Sequence, residues 1–314
     1  MPSFSNGSFR LFHVAGVDVF LHWSWFLVAI YEIEAHNGGY SSIAWGIAEY
    51  LALFLIVLTH EFGHTLACRQ VGGTANRIML WPLGGMAYVD PPQRAGAMLW
   101  SIAAGPLVNV ALFPLLFGAW MVVKGMGWRD SSPDAYMLIR NILAIDVGLL
   151  IFNMLPIYPL DGGKILRSLL WFPLGRAKSL LVSVIVGIVG LVALLAFAVV
   201  SFERWLMLLS AYLLFSCWGG LQQARALLRR EKMPRRAGFA CPSCKAAPPL
   251  GALWKCGKCE QPFDTFQSRG TCPNCSAQYP TTMCGDCRRQ YPMQEWEVPA
   301  VANLGVVNGG FPVR

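Results

Sequence analysis

The chain is organised as long apolar runs separated by short polar breaks, not as an alternation of single apolar and polar residues. Six runs, near residues 19–35, 45–68, 97–123, 136–157, 180–200 and 203–222, come near the 20 or so residues that a helix needs to cross a bilayer. The first and last are interrupted by polar or charged side chains, but all six pass as spans on hydropathy. The pattern predicts an all-α polytopic membrane protein with about six transmembrane helices. Residues 77–90, "RIMLWPLGGMAYVD", place bulky side chains around a Gly-Gly pair and predict a short membrane-associated hairpin. Hydropathy collapses after Leu228, which divides the chain into a membrane region (1–228), a basic linker (229–240), a cysteine-rich domain (241–290) and a tail (291–314).

Composition agrees: 55% of the 314 residues are hydrophobic and 13% charged, far from the balance of a soluble domain. The net charge of +8 is concentrated where one side of a membrane would lie. Arg69 and Arg77 follow the second run; Lys164, Arg167, Arg176 and Lys178 follow the fourth; Arg225, Arg229, Arg230, Lys232, Arg235 and Arg236 follow the sixth. The positive-inside rule makes all three groups cytoplasmic and with them both termini. Topology thus accounts for the charge, and a nucleic-acid partner is not expected. The first twenty residues hold one arginine and no clear small-residue cleavage site, so the first run is expected to remain as an anchor.

Between Cys241 and Cys287 stand "CPSC", "CGKC", "CPNC" and "CGDC", four Cys-x-x-C pairs that use eight of the ten cysteines. Two intervening residues let a tight turn aim both sulfurs at one ion, and two such turns complete a tetrahedral thiolate set. The eight cysteines therefore predict two structural zinc ions. Disulfides are the rival, but a cytoplasmic domain keeps its thiols reduced. Sequential pairing, with Cys241, Cys244, Cys256 and Cys259 on one ion and Cys272, Cys275, Cys284 and Cys287 on the other, closes the shortest loops. An interleaved pairing is the alternative. Few large apolar side chains lie between the cysteines, so metal binding would supply the folding energy.

The second run contains an electrostatic anomaly: "LTHEFGHTLA", residues 58–67, puts His60, Glu61 and His64 where lipid-facing side chains belong. Residues four apart share one helix face, so His60 and His64 can hold one zinc ion while Glu61, one step round, reaches a water beside it. Ionisable groups are costly in a span and mark functional sites there. A catalytic zinc takes three protein ligands and keeps a position open. Asp161, in "FNMLPIYPLDGGK", is the candidate third ligand, because Pro156 and Pro159 break the fourth helix and Gly162 and Gly163 let the chain approach the metal closely. Asp146 and Asp90 are weaker competitors, since neither sits in such a break. His60 lies nine residues before Arg69, roughly 13 Å inside the membrane boundary at helical rise.

"HEFGH" in one helix, "AAGPLVN" (residues 103–109) in the next and "NMLPIYPLDGG" (residues 153–163) in the one after resemble the site-2 protease family of intramembrane zinc metalloproteases. "LFHVAGVDVFLHWSWFLVA" and "GGMAYV" are also similar to bacterial and archaeal members, so the resemblance covers residues 10–228. It implies one catalytic zinc on His60, His64 and Asp161, with Glu61 as general base. It also implies that Asn153 and Asn109 serve substrate binding, that single-span membrane proteins are the substrates, and that the location is a prokaryotic inner membrane. The cysteine domain is outside the shared core and resembles double zinc ribbons, which implies a cytoplasmic protein or ligand as its partner. A non-catalytic adaptor that recruits such a partner is the alternative reading, although an inactive relative would be expected to lose Glu61 or a ligand, and none is lost. A prenyl-protein protease also carries His-Glu-x-x-His, but takes a glutamate third ligand where this chain offers Asp161.

Overall fold

A computed structural model describes residues 7–27, 29–30, 39–81 and 84–298. The chain separates into two compact units, residues 1–225 and 226–314. In the first, strands β1 (Ser8–Val14) and β2 (Val17–His22) precede helix α1 (Ile43–Gln70), and β3 (Thr74–Trp81) and β4 (Gly84–Asp90) follow it. Three long helices come next: α2 (Ala95–Gly125), α3 (Pro133–Met154) and α4 (Asp161–Val200). Helix α5 (Arg204–Glu231) runs into the second unit.

Among the described residues four helices, α1 to α4, are long and apolar enough to cross a membrane. The other two of the six expected runs are not among them. The predicted run at 19–35 opens as strand β2, and its remainder lies partly outside the described residues. The run at 203–222 forms helix α5 but is not among the four. Helix α4 is two helical pieces, since Pro173 lies inside it and Gly175 turns out of the helix with φ +76°.

The expectation of an all-α fold is corrected. The four strands form one sheet in the order β1-β2-β3-β4. The first and last pairs are antiparallel, and β2 and β3 pair in parallel across the connection that contains α1. Strand β2 imitates the start of a span because Val17, Val19, Phe20 and Leu21 are all buried, and an apolar run that short does not distinguish strand from helix by its periodicity. The hairpin expected over residues 77–90 is present as β3 and β4.

The sheet packs on α1: Val17, Val19, Leu21, Ile78 and Leu80 form a core with Val57 and Leu58, just before His60. Arg69 closes the far end of the helix, donating from Nη2 to Gly16 O at 2.7 Å and from Nε to Ala75 O at 2.9 Å. Its charge thus ties α1 to the β1–β2 turn and to β3, besides marking the end of the helix.

The second unit contains two short antiparallel ribbons, β5 (Trp254–Lys255) with β6 (Pro262–Phe263) and β7 (Thr281–Met283) with β8 (Gln290–Pro292). Trp296, in the stretch expected as a tail, is buried with Phe266, Cys241 and Cys284. Arg236, in the stretch expected as an exposed linker, pairs with the buried Asp264 at 2.5 Å. The folded ribbon unit therefore takes in residues on both sides of 241–290.

Candidate metal centre

His60 and His64 occupy successive turns of α1, and Asp161 is the first residue of α4. His60 Nε2 lies 3.1 Å from His64 Nε2 and 3.1 Å from Asp161 Oδ2, and His64 Nε2 lies 3.0 Å from the same oxygen. All three side chains are buried. The far side of each ring is already engaged, His64 Nδ1 with Ser101 O at 2.9 Å and His60 Nδ1 with Asn109 Oδ1 at 2.7 Å. A carbonyl oxygen only accepts, so both Nδ1 atoms donate and both Nε2 atoms carry lone pairs. Two lone pairs and a carboxylate oxygen then converge with no proton among them, which is unfavourable unless a cation sits between them. Donors about 2.0 Å from a tetrahedral zinc would be about 3.3 Å apart, close to this triangle. The donor set fits the ion.

Helix packing makes the space. A Cβ added to Gly105 on α2 would lie 2.3 Å from His64 Nε2 and 2.8 Å from His60 Nε2, so only glycine lets α2 approach the imidazoles. Gly162 has a different task from the one expected. A Cβ there would lie 2.4 Å from the carbonyl oxygens of Met154 and Leu155, so its clearance serves the 155–160 loop and not the approach to the metal. Ser183 Oγ donates to Gly163 O at 2.6 Å and Cys217 Sγ to Tyr158 O at 2.6 Å, holding that loop and the helix start that presents Asp161. The second carboxylate oxygen of Asp161 accepts from Lys164 Nζ at 3.3 Å.

Glu61 is buried beside the cluster, and its Oε2 accepts the backbone N–H of Ala87 on β4 at 2.8 Å. Strand β4 is an edge of the sheet, so this bond joins the carboxylate to a strand with no second partner strand among the described residues. Asn153 is half-buried on the last turn of α3, at the entry to the loop that leads to Asp161. Asn109, expected to serve substrate binding, has no exposed surface and both ends of its amide are engaged, which puts it behind His60. Of the rival carboxylates, Asp90 is exposed at the end of β4 and Asp146 is buried against Asn109. Ser101, Gly105 and Ala87 escaped sequence reasoning because they contribute a carbonyl, a missing Cβ and an amide. Only the motif "AAGPLVN" could have pointed to Gly105.

The eight cysteines form two further clusters, and their pairing is nested. Cys241, Cys244, Cys284 and Cys287 lie together, as do Cys256, Cys259, Cys272 and Cys275. The sequential pairing that loop closure favours is therefore corrected. The outer pairs meet because Phe266 and Trp296 pack against Cys241 and Cys284, and that burial outweighs the slowly growing cost of closing the longer loop. Sulfur separations such as Cys241–Cys287 at 3.6 Å and Cys256–Cys275 at 3.5 Å are far beyond a disulfide and near the roughly 3.8 Å edge of a zinc–thiolate tetrahedron.

Each Cys-x-x-C makes the same turn, closed by a residue in left-handed conformation: Lys245, Glu260, Ser276 and Arg288, with φ between +58° and +60°. In each the first cysteine's carbonyl accepts the N–H of that residue, as Cys256 O does from Glu260 N at 2.9 Å. The Tyr279 hydroxyl donates to Cys256 Sγ at 3.1 Å and, with nearby backbone amides, holds that thiol down at about 5. Burial pushes Cys244 up to about 11.

The family match falls on the same helices. The model of peptidase family M50 matches residues 48–143 and 131–197, a stretch that holds His60, Glu61, His64, Asn109, Asn153 and Asp161. A zinc metalloprotease of Methanocaldococcus jannaschii is 30% identical over 224 residues, covering 71% of this chain and 62% of that one. Stage IV sporulation protein FB of Bacillus subtilis is 33% identical over 121 residues, 37% of this chain and 38% of its own length. The solved site-2 protease of Methanocaldococcus jannaschii aligns at 28% identity with a TM-score of 0.49, over 68% of this chain and 95% of that one. The chain thus spans less than two thirds of the length of the curated relatives it matches. The matched stretch carries the two histidines and the aspartate that meet at one point, so over the helices that build this centre the integral membrane protein is similar to peptidase family M50, the site-2 proteases.

Proposed function

We propose that the protein is an intramembrane zinc endopeptidase that hydrolyses peptide bonds in or near the transmembrane segments of membrane-anchored proteins. The observation that carries this reading is the convergence of His60 Nε2, His64 Nε2 and Asp161 Oδ2 within 3.1 Å of one another, with Glu61 adjacent. His60, His64 and Asp161 would hold one zinc ion, which supplies a Lewis acid that acidifies water and polarises a carbonyl. Glu61 takes a proton from the attacking water and returns it to the departing amine nitrogen. Asn153, at the entry to the loop, orients the scissile carbonyl. The helices bury these groups, so water reaches Glu61 from the cytoplasmic side.

A transmembrane substrate must unwind before its peptide bonds become available. The side of β4 with no partner strand among the described residues offers an edge for the unwound segment to pair with, and the bond from Ala87 to Glu61 brings that edge beside the general base. The two cysteine clusters hold two structural zinc ions in a cytoplasmic domain, with both termini cytoplasmic. That domain recruits a protein or ligand to the protease.

Purified wild type and Glu61→Gln are compared on a panel of single-span substrates, with zinc measured in both. About three zinc ions per chain are expected in each, with cleavage in the variant reduced by a factor of at least about 10² to 10⁴. Equal cleavage by the two proteins would refute Glu61 as the base. Zinc limited to the ribbons in wild type would refute the intramembrane centre.

A further inference from the structure

Asp146 is a fully buried carboxylate beside the centre to which the proposed chemistry gives no task. It lies within α3 with no exposed surface, and its Oδ2 has no hydrogen-bond partner among the described residues. Its Oδ1 accepts Asn109 Nδ2–H at 2.7 Å, and Asn109 Oδ1 in turn accepts His60 Nδ1–H at 2.7 Å. One side chain from each of α1, α2 and α3 thus forms a row that ends on the ring whose Nε2 faces Asp161.

The row has a direction, and Asp146 sets it. An asparagine amide can point either way, but a carboxyl oxygen without a proton only accepts, and Asp146 Oδ1 accepts Asn109 Nδ2–H, so the NH₂ group of Asn109 faces Asp146. The carbonyl then faces His60, Nδ1 must carry the ring proton, and Nε2 is left with its lone pair for the metal. With a neighbour able to donate, the reversed row is equally satisfied: the amide NH₂ faces Nδ1, and the ring proton moves to Nε2, in the position of the ion. His64 is free of this ambiguity, because its Nδ1 faces the backbone carbonyl of Ser101, which cannot donate.

We propose that Asp146, acting through Asn109, fixes the tautomer and orientation of His60 and so sets the affinity of the intramembrane centre for its metal. It is a positioning residue. The proposal rests on reading His60, His64 and Asp161 as a zinc site. It also gives a reason for an ionisable group at a depth where such groups are costly.

The test uses the purified full-length chain as wild type, Asp146→Asn, Asn109→Leu, the double variant and His60→Ala. Each is equilibrated across a series of buffered free-zinc concentrations, and bound metal is counted. Asp146→Asn keeps the shape and removes only the obligate acceptor, so a packing role would leave zinc binding unchanged. We expect the His60-dependent ion in that variant to require about 10- to 100-fold more free zinc than in wild type, with the ribbon ions unaffected. Asn109→Leu should lose at least as much, and adding Asp146→Asn to it should change nothing further. Wild-type affinity in Asp146→Asn, or losses that add in the double variant, would overturn the proposal while leaving the zinc site standing. Equal zinc in wild type and His60→Ala at every concentration would overturn both.

Discussion

The intramembrane centre and the cysteine-rich unit gather different ligands, imidazole and carboxylate in one and thiols in the other, and do so by opposite means. In the membrane region the helices carry the ligands on long elements packed by their own side chains, and even the outward nitrogens of the two histidines are held by Ser101 and Asn109. The ribbon unit has four short strands of two or three residues each, and its two small cores include the cysteines themselves. In the first the fold would hold a metal; in the second a metal would hold the fold. Catalysis gains from a site formed in advance by rigid elements, whereas a small domain short of apolar core gains its stability from the ion.

Metal removal gives the largest contrast. A strong chelator should unfold the ribbon unit, since apparent zinc contributions in such domains reach about 10–16 kcal/mol. The fluorescence of the buried Trp296 and protease sensitivity after residue 226 report it. Far-UV helicity of the membrane region should stay unchanged under the same treatment. Ribbons that remain folded without metal would abolish the distinction.

Gly105→Ala probes the other side. The new methyl would be aimed at His64 Nε2, and relieving that overlap displaces α2 from α1 at an expected cost of about 1–3 kcal/mol. Bound zinc should fall by one ion per chain while the ribbon ions persist. Full zinc content in this variant would mean that helix proximity is not what forms the centre.

The smallest effect concerns the turns. Ser276 is exposed in left-handed conformation at φ +58°, which costs a side chain about 1–2 kcal/mol, partly offset by the freedom that glycine loses on folding. Ser276→Gly should therefore stabilise the zinc-loaded ribbon unit by a few tenths to about 1 kcal/mol, read as a raised denaturation midpoint. A lowered midpoint would show that the turn is not strained there.

The chemistry was more legible than the scaffold. His60, Glu61 and His64 declare themselves by spacing on one helix, and Asp161 by its place after a proline-broken loop, because a metal site needs particular residue types at particular intervals. Strand β2 was misread as the start of a span because Val19, Phe20 and Leu21 are buried and apolar in succession, with no period to tell strand from helix. Asp146 looked like an alternative ligand, since its relation to Asn109 depends on how α2 and α3 pack.

By itself the sequence determined which side chains could bind metal, how many clusters to expect, and that much of the chain belongs in a membrane. Those are matters of residue type and local spacing, fixed within one helix turn or one Cys-x-x-C. The tertiary structure decided which cysteine pairs share an ion, which glycine lets two helices close on the histidines, and which buried carboxylate stands behind the metal rather than beside it. Such choices depend on contacts between residues 13 to 101 positions apart. What settles them is the packing of side chains that carry no chemical signature of their own.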